Sequence, residues 1–141
     1  MNVFGRNEGL WVSQVLAMAF LAVLFLQSGL DKVIDWKGNR TYFSTYFATK
    51  LETSALRHFP TLMLLGAMFL EVTTGVFCAT GALSVFLTRD RSFAFLGACL
   101  AGVTVLFLFA GQRLAKDYES AAGMVPYFLA TVTAILLVGS G

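Results

Sequence analysis

The residue best placed to do chemistry in this chain is Glu71, which lies in the middle of an apolar segment from Pro60 to Thr88. The segment has about 29 residues, and roughly 20 apolar residues are enough to cross a bilayer as a helix. A carboxylate at such a depth costs at least ~2.5–3.5 kcal/mol on insertion scales. Two interpretations stay open: a group that carries protons or binds a ligand, or a structural carboxyl that is hydrogen-bonded to a neighbouring helix.

Further polar residues follow the first and third apolar segments. They are Asp31, Lys32, Gln112, Arg113, Lys116 and Asp117. Because the exits of a first and a third span emerge on the same side of a membrane, these side chains can converge there. We expect either ordinary interfacial charge or a charged mouth that leads inward to Glu71. Together with Glu71, they are the candidates for ligand binding or proton transfer, and the sequence assigns no catalytic residue.

The sequence does not indicate a metal centre or a thiol pair. Cys78 and Cys99 lie far apart and form no CxxC motif, and His58 is the only histidine. We therefore expect two small, buried, apolar cysteines and no metal site. The sequence also gives no sign of haem, flavin or iron–sulfur ligation.

The composition indicates a membrane protein. Hydrophobic residues make up 57% of the 141 residues and charged residues 13%, whereas about a quarter of the residues of soluble domains are charged. The net charge of +2 is too small to indicate a nucleic-acid partner. The spans take up most of the chain, so we predict a single membrane domain, residues 1–141, whose main partner is the lipid bilayer.

Four apolar segments, at about 10–30, 60–88, 93–114 and 120–139, predict an all-α integral membrane four-helix bundle. Short connections make the last three spans antiparallel neighbours. Ala94, Ala98 and Gly102 form a row of small residues, which predicts close packing either within the chain or against another chain. Basic residues are more numerous in the 1–2 and 3–4 connections, so the positive-inside rule predicts both termini outside the cytoplasm.

The connection between the first two spans predicts an interfacial amphipathic helix over Tyr42–Phe59. Aromatic and apolar residues recur there every four positions: Phe43, Phe47, Leu51, Ala55 and Phe59. This pattern is typical of a helix that lies in the membrane interface. The helix would be either a plain anchor or a lid over a pocket in the bundle.

The spacing of residues on the second span predicts where Glu71 points. One face carries Ala67, Glu71, Thr74, Gly75, Cys78 and Gly81, and the other carries Leu65, Phe69, Val72, Val76 and Leu83. Glu71 is therefore expected to face the bundle interior. Thr104, Thr131 and Thr133 are the expected hydrogen-bond partners, because they lie at mid-depth, whereas Gln27 and Gln112 lie near helix ends.

Several segments of the chain resemble the DoxX family of small four-helix bacterial membrane proteins. They are SGLDK at Ser28–Lys32, the pattern ExxxGxxxxxGxxxxxxxR from Glu71 to Arg89, GQRLAKDY at Gly111–Tyr118, and the following MVPYFLA. The wider group includes the DoxD-type subunit of thiosulfate:quinone oxidoreductase and MauE-like proteins linked to disulfide chemistry. The resemblance implies a multi-pass protein of the bacterial inner (cytoplasmic) membrane. The lack of a CxxC argues against direct thiol–disulfide exchange.

Two functions stay open at this point, and so does the question of whether the chain is an enzyme. The first is a redox-linked membrane protein that binds a quinone or a small sulfur species near Glu71, with Lys32, Gln112 or Arg113 as hydrogen-bond donors to a quinone carbonyl. The second is a non-catalytic accessory subunit, whose partners would be other membrane subunits or copies of itself. A transporter is a third class, which would need several copies to enclose a path.

Overall fold

A computed structural model of the chain describes residues 6–48, 59–114 and 117–140. These residues form the helices α1 (Arg6–Ile34), α2 (Trp36–Ala48), α3 (Phe59–Thr88), α4 (Ser92–Leu114), α5 (Tyr118–Gly123) and α6 (Val125–Gly139). Four stretches are long and apolar enough to cross a membrane: Glu8–Ile34, Leu62–Thr88, Ser92–Leu114 and Tyr118–Gly139. The predicted all-α four-helix bundle is confirmed, and the length and composition of its helices are those of a multi-pass membrane protein.

The long helices form a closed ring in which α1 packs against α3, α3 against α4, α4 against α6, and α6 against α1. The short helix α2 contacts α3 and α1, and α5 contacts α4 and α6. The buried apolar core includes the side chains of Met18, Leu21, Phe25, Val85 and Val105. Large apolar side chains on the outside of all four long helices are exposed, so the surface of the bundle is suited to contact with lipid.

Helix α3 has the two faces that its spacing predicts. The small and polar residues of the inner face, from Ala67 through Glu71 to Gly81, are buried. On the other face, Phe69 and Leu83 are 70% and 61% exposed. Val72 differs from the prediction, because it lies at the border of the two faces and packs against Gly29 of α1.

The row of small residues on α4 packs within the chain. A Cβ atom added to Gly81 of α3 would lie 2.5 Å from the Cα of Ala94, and one added to Gly97 would lie 3.0 Å from the backbone nitrogen of Cys78. Gly102 faces the side chain of Thr131 on α6. The small residues therefore let α4 approach its own neighbours in the bundle closely.

The fourth span consists of two helices, whereas the sequence predicts a continuous one over 120–139. Helix α5 ends at Gly123, Met124 forms a turn, and α6 begins at Val125. Pro126 has no N–H to donate to the carbonyl of Ala122, so the helical ladder is interrupted at this point. Asp117 caps the start of α5 by accepting a hydrogen bond from the backbone N–H of Ser120 at 3.1 Å.

The connection between α1 and α3 is helical in its first part. Helix α1 continues to Ile34, past the predicted end at residue 30, and α2 starts at Trp36. Residues 49–58 lie outside the described residues, and so do the side chains of Phe43 and Phe47. The interfacial position of the segment Tyr42–Phe59 stays a prediction.

Candidate ligand site beside Glu71

Glu71 lies in the bundle interior, with 2% of its surface exposed. The hydroxyl of Ser28 on α1 donates a hydrogen bond to Glu71 Oε1 at 2.9 Å. The ammonium nitrogen of Lys32 lies 2.8 Å from Glu71 Oε2, in an ion pair that lacks the geometry of a directed hydrogen bond. Lys32 also donates to Ser28 Oγ at 3.1 Å, so the three side chains form a closed triangle.

The geometry of α1 explains why these residues meet. Ser28 and Lys32 are four residues apart and lie on the same face of a helix, and α1 extends far enough to include both. Between them, Gly29 faces α3, where an added Cβ would lie 2.8 Å from Val72 Cγ2 and 3.2 Å from Glu71 Cβ. The missing side chain therefore brings the two backbones close enough for the short Ser28 side chain to reach the carboxylate.

The network keeps hydrogen-bond acceptor capacity at Glu71. The Lys32 ammonium has three protons, and three oxygens surround it: Ser28 Oγ, the Ser28 backbone carbonyl at 3.5 Å, and Glu71 Oε2. The single hydroxyl proton of Ser28 goes to Glu71. A carboxylate accepts up to about four hydrogen bonds, so Glu71 still has positions for a further donor.

The threonines expected to bond Glu71 have other partners. Thr104 donates to the backbone carbonyl of Leu100 at 2.8 Å, and its Oγ lies 2.8 Å from that of Thr74. Thr131 and Thr133 each donate to the carbonyl four residues before, at 2.8 and 2.7 Å. A mid-helix threonine has such a carbonyl within reach on its own helix, which is why the expectation of mid-depth threonine partners was wrong.

A cavity of about 210 Å³ adjoins this network. Ser28 and Glu71 form its polar wall, and Leu24, Phe25, Val105 and Leu108 form most of its apolar wall. Met124, at the break between α5 and α6, and Tyr127 of α6 also line it. The cavity therefore offers a molecule an ion-paired carboxylate on one side and mostly hydrocarbon on the others.

The remaining candidate residues lie elsewhere around the ends of α1 and α4. Asp31 is exposed, and its backbone carbonyl accepts from Asp35 N at 2.9 Å. The guanidinium of Arg113 lies over the ring of Tyr118, 4.5 Å from its centroid, and Asp117 caps α5. Lys116 lies outside the described residues. Of the predicted mouth residues, the structure brings Lys32 alone into contact with Glu71 among those it describes.

Gln112 has a buried side-chain oxygen with no hydrogen-bond partner among the described residues. The described lining of the Glu71 cavity includes neither Gln112 nor Arg113. A role for either residue as a donor to a ligand in this cavity therefore stays a prediction.

The cysteines are free in the described structure, with Cys78 buried and Cys99 partly buried. The described residues contain no group of histidine, cysteine and carboxylate side chains that could hold a metal ion.

Several residues of the site were not among the sequence candidates, and Ser28, Gly29 and Tyr127 illustrate why. Ser28 was visible in principle, because it precedes Lys32 by one helical turn. Gly29 could be singled out from the sequence only as part of the SGLDK segment, since its close contact with α3 depends on which helix crosses it. Tyr127 gave no signal, because its place beside Glu71 depends on how α6 packs against α1 and α4.

No family model matches the chain, and no curated protein or solved structure matches it either. The resemblance to the DoxX family therefore stays a prediction that rests on the sequence segments given above.

Proposed function

We propose that this chain is a redox-linked protein of the bacterial inner membrane that binds a quinone or a small sulfur species in the cavity beside Glu71. The observation that carries the proposal is a buried ion pair, Lys32–Glu71, in direct contact with a cavity inside a membrane bundle. Ionisable residues at such depth are costly and usually mark a pathway or a binding site.

The chemistry of the cavity lining suits a quinone or quinol head. Its walls are apolar except for Ser28, Glu71 and Tyr127, and ligand sites typically combine a mostly apolar lining with a few polar groups. When bound, a quinone supplies reversible two-electron, two-proton chemistry. The residues of this chain would hold the head, exclude water from it, and keep a proton-accepting oxygen of Glu71 beside it.

A small sulfur species would use the same polar wall. The Lys32 ammonium offers it a positive charge, but that charge is already paired with Glu71 at 2.8 Å. Breaking or sharing a buried pair leaves part of the charge uncompensated. The proposal therefore favours a neutral ligand over an anionic one at this site.

A non-catalytic accessory subunit is the competing function. Part of its sequence support was the row of small residues on the third span, which packs against α3 and α6 of the same chain. The large exposed apolar side chains, such as Leu16 and Leu136, suit contact with lipid as well as with a partner.

Purification from membranes in a mild detergent separates the two functions. The proposal expects an isolated protein from which organic solvent extracts a quinone in near-stoichiometric amount, as measured by mass spectrometry. Stable co-purification of other membrane proteins, with no extractable redox molecule, would instead establish the accessory function.

A further inference from the structure

A second cavity adjoins the cavity beside Glu71. It also has a volume of about 210 Å³ and shares two wall residues with the first, Val105 of α4 and Met124. The rest of its described lining is apolar: Leu106, Phe109, Val125 and Phe128. Each cavity is smaller than the roughly 300–1,000 Å³ of typical ligand pockets, and the two together reach that range.

The second cavity is lined partly by lipid-facing residues and partly by residues that also line the cavity beside Glu71. Leu106, Val125 and Phe128 on its outer side are 55%, 50% and 40% exposed, whereas Val105 on the shared wall is 1% exposed. The apolar space therefore begins where hydrocarbon chains contact the bundle and ends next to the polar cavity.

The wall between the cavities includes a side chain that moves easily. Met124 lies in the turn where α5 ends and α6 begins, and a methionine side chain is unbranched with three rotatable bonds. The break at Pro126 thus places an adaptable side chain, rather than a rigid helical turn, in the shared lining of the two cavities.

The hydrogen-bond donors and acceptors in the cavity beside Glu71 determine which kind of ligand head can bind there. The Ser28 hydroxyl donates to Glu71 Oε1 and Lys32 donates to Ser28 Oγ. Glu71 Oε2 is ion-paired with the Lys32 ammonium but accepts no directed hydrogen bond from a described residue, so the carboxylate keeps acceptor positions. A ligand hydroxyl can donate to this carboxylate, and a hydrogen bond to an ionised group is stronger than one between neutral groups. A bare carbonyl cannot donate to Glu71, and among the described lining residues it would depend on the Tyr127 hydroxyl as a donor.

We propose that the two cavities together bind one amphipathic molecule of the quinol type, with a hydroxyl-bearing ring beside Glu71 and a hydrocarbon tail between α4 and α6. The molecule reaches the site sideways from the bilayer core. This inference rests on the proposed function and narrows its ligand to a quinol-type molecule, because a small sulfur species would leave the apolar cavity unfilled.

Photolabelling in lipid nanodiscs tests whether head and tail share one site. The probe is a benzoquinol with a ten-carbon tail that carries a diazirine at its end, kept reduced under anaerobic conditions. We expect labelling on α4 near Phe109 and at the start of α6, and at least a tenfold reduction by excess unlabelled decylbenzoquinol. Decane, which has no head, should not compete.

Matched variants separate the tail cavity from the rest of the lipid-facing surface. Val125→Trp fills the apolar cavity and should reduce labelling at least tenfold, whereas Leu136→Trp, on an exposed position of the same helix that does not line it, should label like the parent. The double variant Lys32→Met/Glu71→Leu removes both charges of the ion pair and, with them, the proposed contact to the ligand head. It should therefore also lose the labelling.

The outcomes distinguish the two proposals. Labelling that persists in the double variant, or that spreads evenly over the lipid-facing helices, would show that the apolar cavity only holds lipid tails and would overturn the inference. Stronger competition by oxidised decylbenzoquinone than by the quinol would overturn the hydroxyl head. If a tail-less benzoquinol still raises the melting temperature of the parent and not of the double variant, the proposed function survives these failures. If it has no effect on either protein, the proposed function fails as well.

Discussion

Lys32 of α1 and Glu71 of α3 form an ion pair in which the two ends differ in their access to water. The Lys32 side chain is 13% exposed and the Glu71 side chain 2%. Lysine can extend its flexible stem toward the interface when its partner is lost, whereas a carboxylate held on the inner face of α3 has no such route. The two partners should therefore respond differently to substitution.

Lys32→Met should be strongly destabilising. It leaves the buried Glu71 without its cation, and breaking a buried ion pair by removing one partner costs about 3–5 kcal/mol. The double variant Lys32→Met/Glu71→Leu removes both charges and should unfold close to the parent temperature. Thermal unfolding of the three proteins in the same detergent measures this, and a Lys32→Met protein as stable as the parent would show that the pair contributes little.

Gly29→Ala should push α1 away from α3 and loosen the contact between Ser28 and Glu71. The added Cβ would lie 2.8 Å from Val72 Cγ2 and 2.9 Å from Val72 N, and overpacking of this kind typically costs about 1–3 kcal/mol. Gly9→Ala is the matched control on the same helix, because nothing lies within 4 Å of its added Cβ. Thermal unfolding should rank Gly29→Ala below the parent and Gly9→Ala at or above it; the reverse order would contradict this packing.

Arg89 joins the turn after α3 to the start of α1, at the opposite end from the site. It has a positive φ of 59°, donates to both carboxylate oxygens of Glu8 at 3.1 Å, and lies 4.7 Å from the ring centroid of Trp11. Such exposed ion pairs contribute about 0.2–1 kcal/mol. A double-mutant cycle of Arg89→Ala and Glu8→Ala should give a coupling in this range at low salt.

The salt dependence of that coupling provides its check. At about 1 M salt the screening length falls to roughly 3 Å, so the coupling between these exposed charges should shrink toward zero. A coupling that is unchanged by salt would mean that the two side chains interact through packing with Trp11 rather than through charge.

The sequence predicted the fold more completely than the site. The apolar segments and the two faces of α3 follow from composition and helical spacing, so the four spans and the inward position of Glu71 could be predicted. The interruption at Met124 was harder, because Pro126 fits the first turn of a helix as well as it marks a break. The close approach at Gly29 depends on which helix crosses it, and that is decided by packing.

The partners of Glu71 show the same limit. The sequence predicted that the first span ends at residue 30, too early for Lys32 to belong to it. The structure extends α1 to Ile34, and the ammonium then reaches the carboxylate. Because depth was counted from the ends of the predicted spans, the mid-helix threonines were expected to bond Glu71. Their hydroxyls instead donate to backbone carbonyls of their own helices.

The most direct test of the account is whether ligand binding depends on the carboxylate of Glu71. Glu71→Gln keeps an oxygen that can accept from Ser28 and loses the charge, and Leu136→Gln is a control for a polar substitution on the lipid-facing side. The measurement is the rise in melting temperature that a tail-less benzoquinol gives to each purified protein. The account predicts a folded Glu71→Gln protein with little or no rise and a Leu136→Gln protein with the parent's rise. An equal rise in the parent and in Glu71→Gln would contradict the central claim that the buried carboxylate binds the ligand.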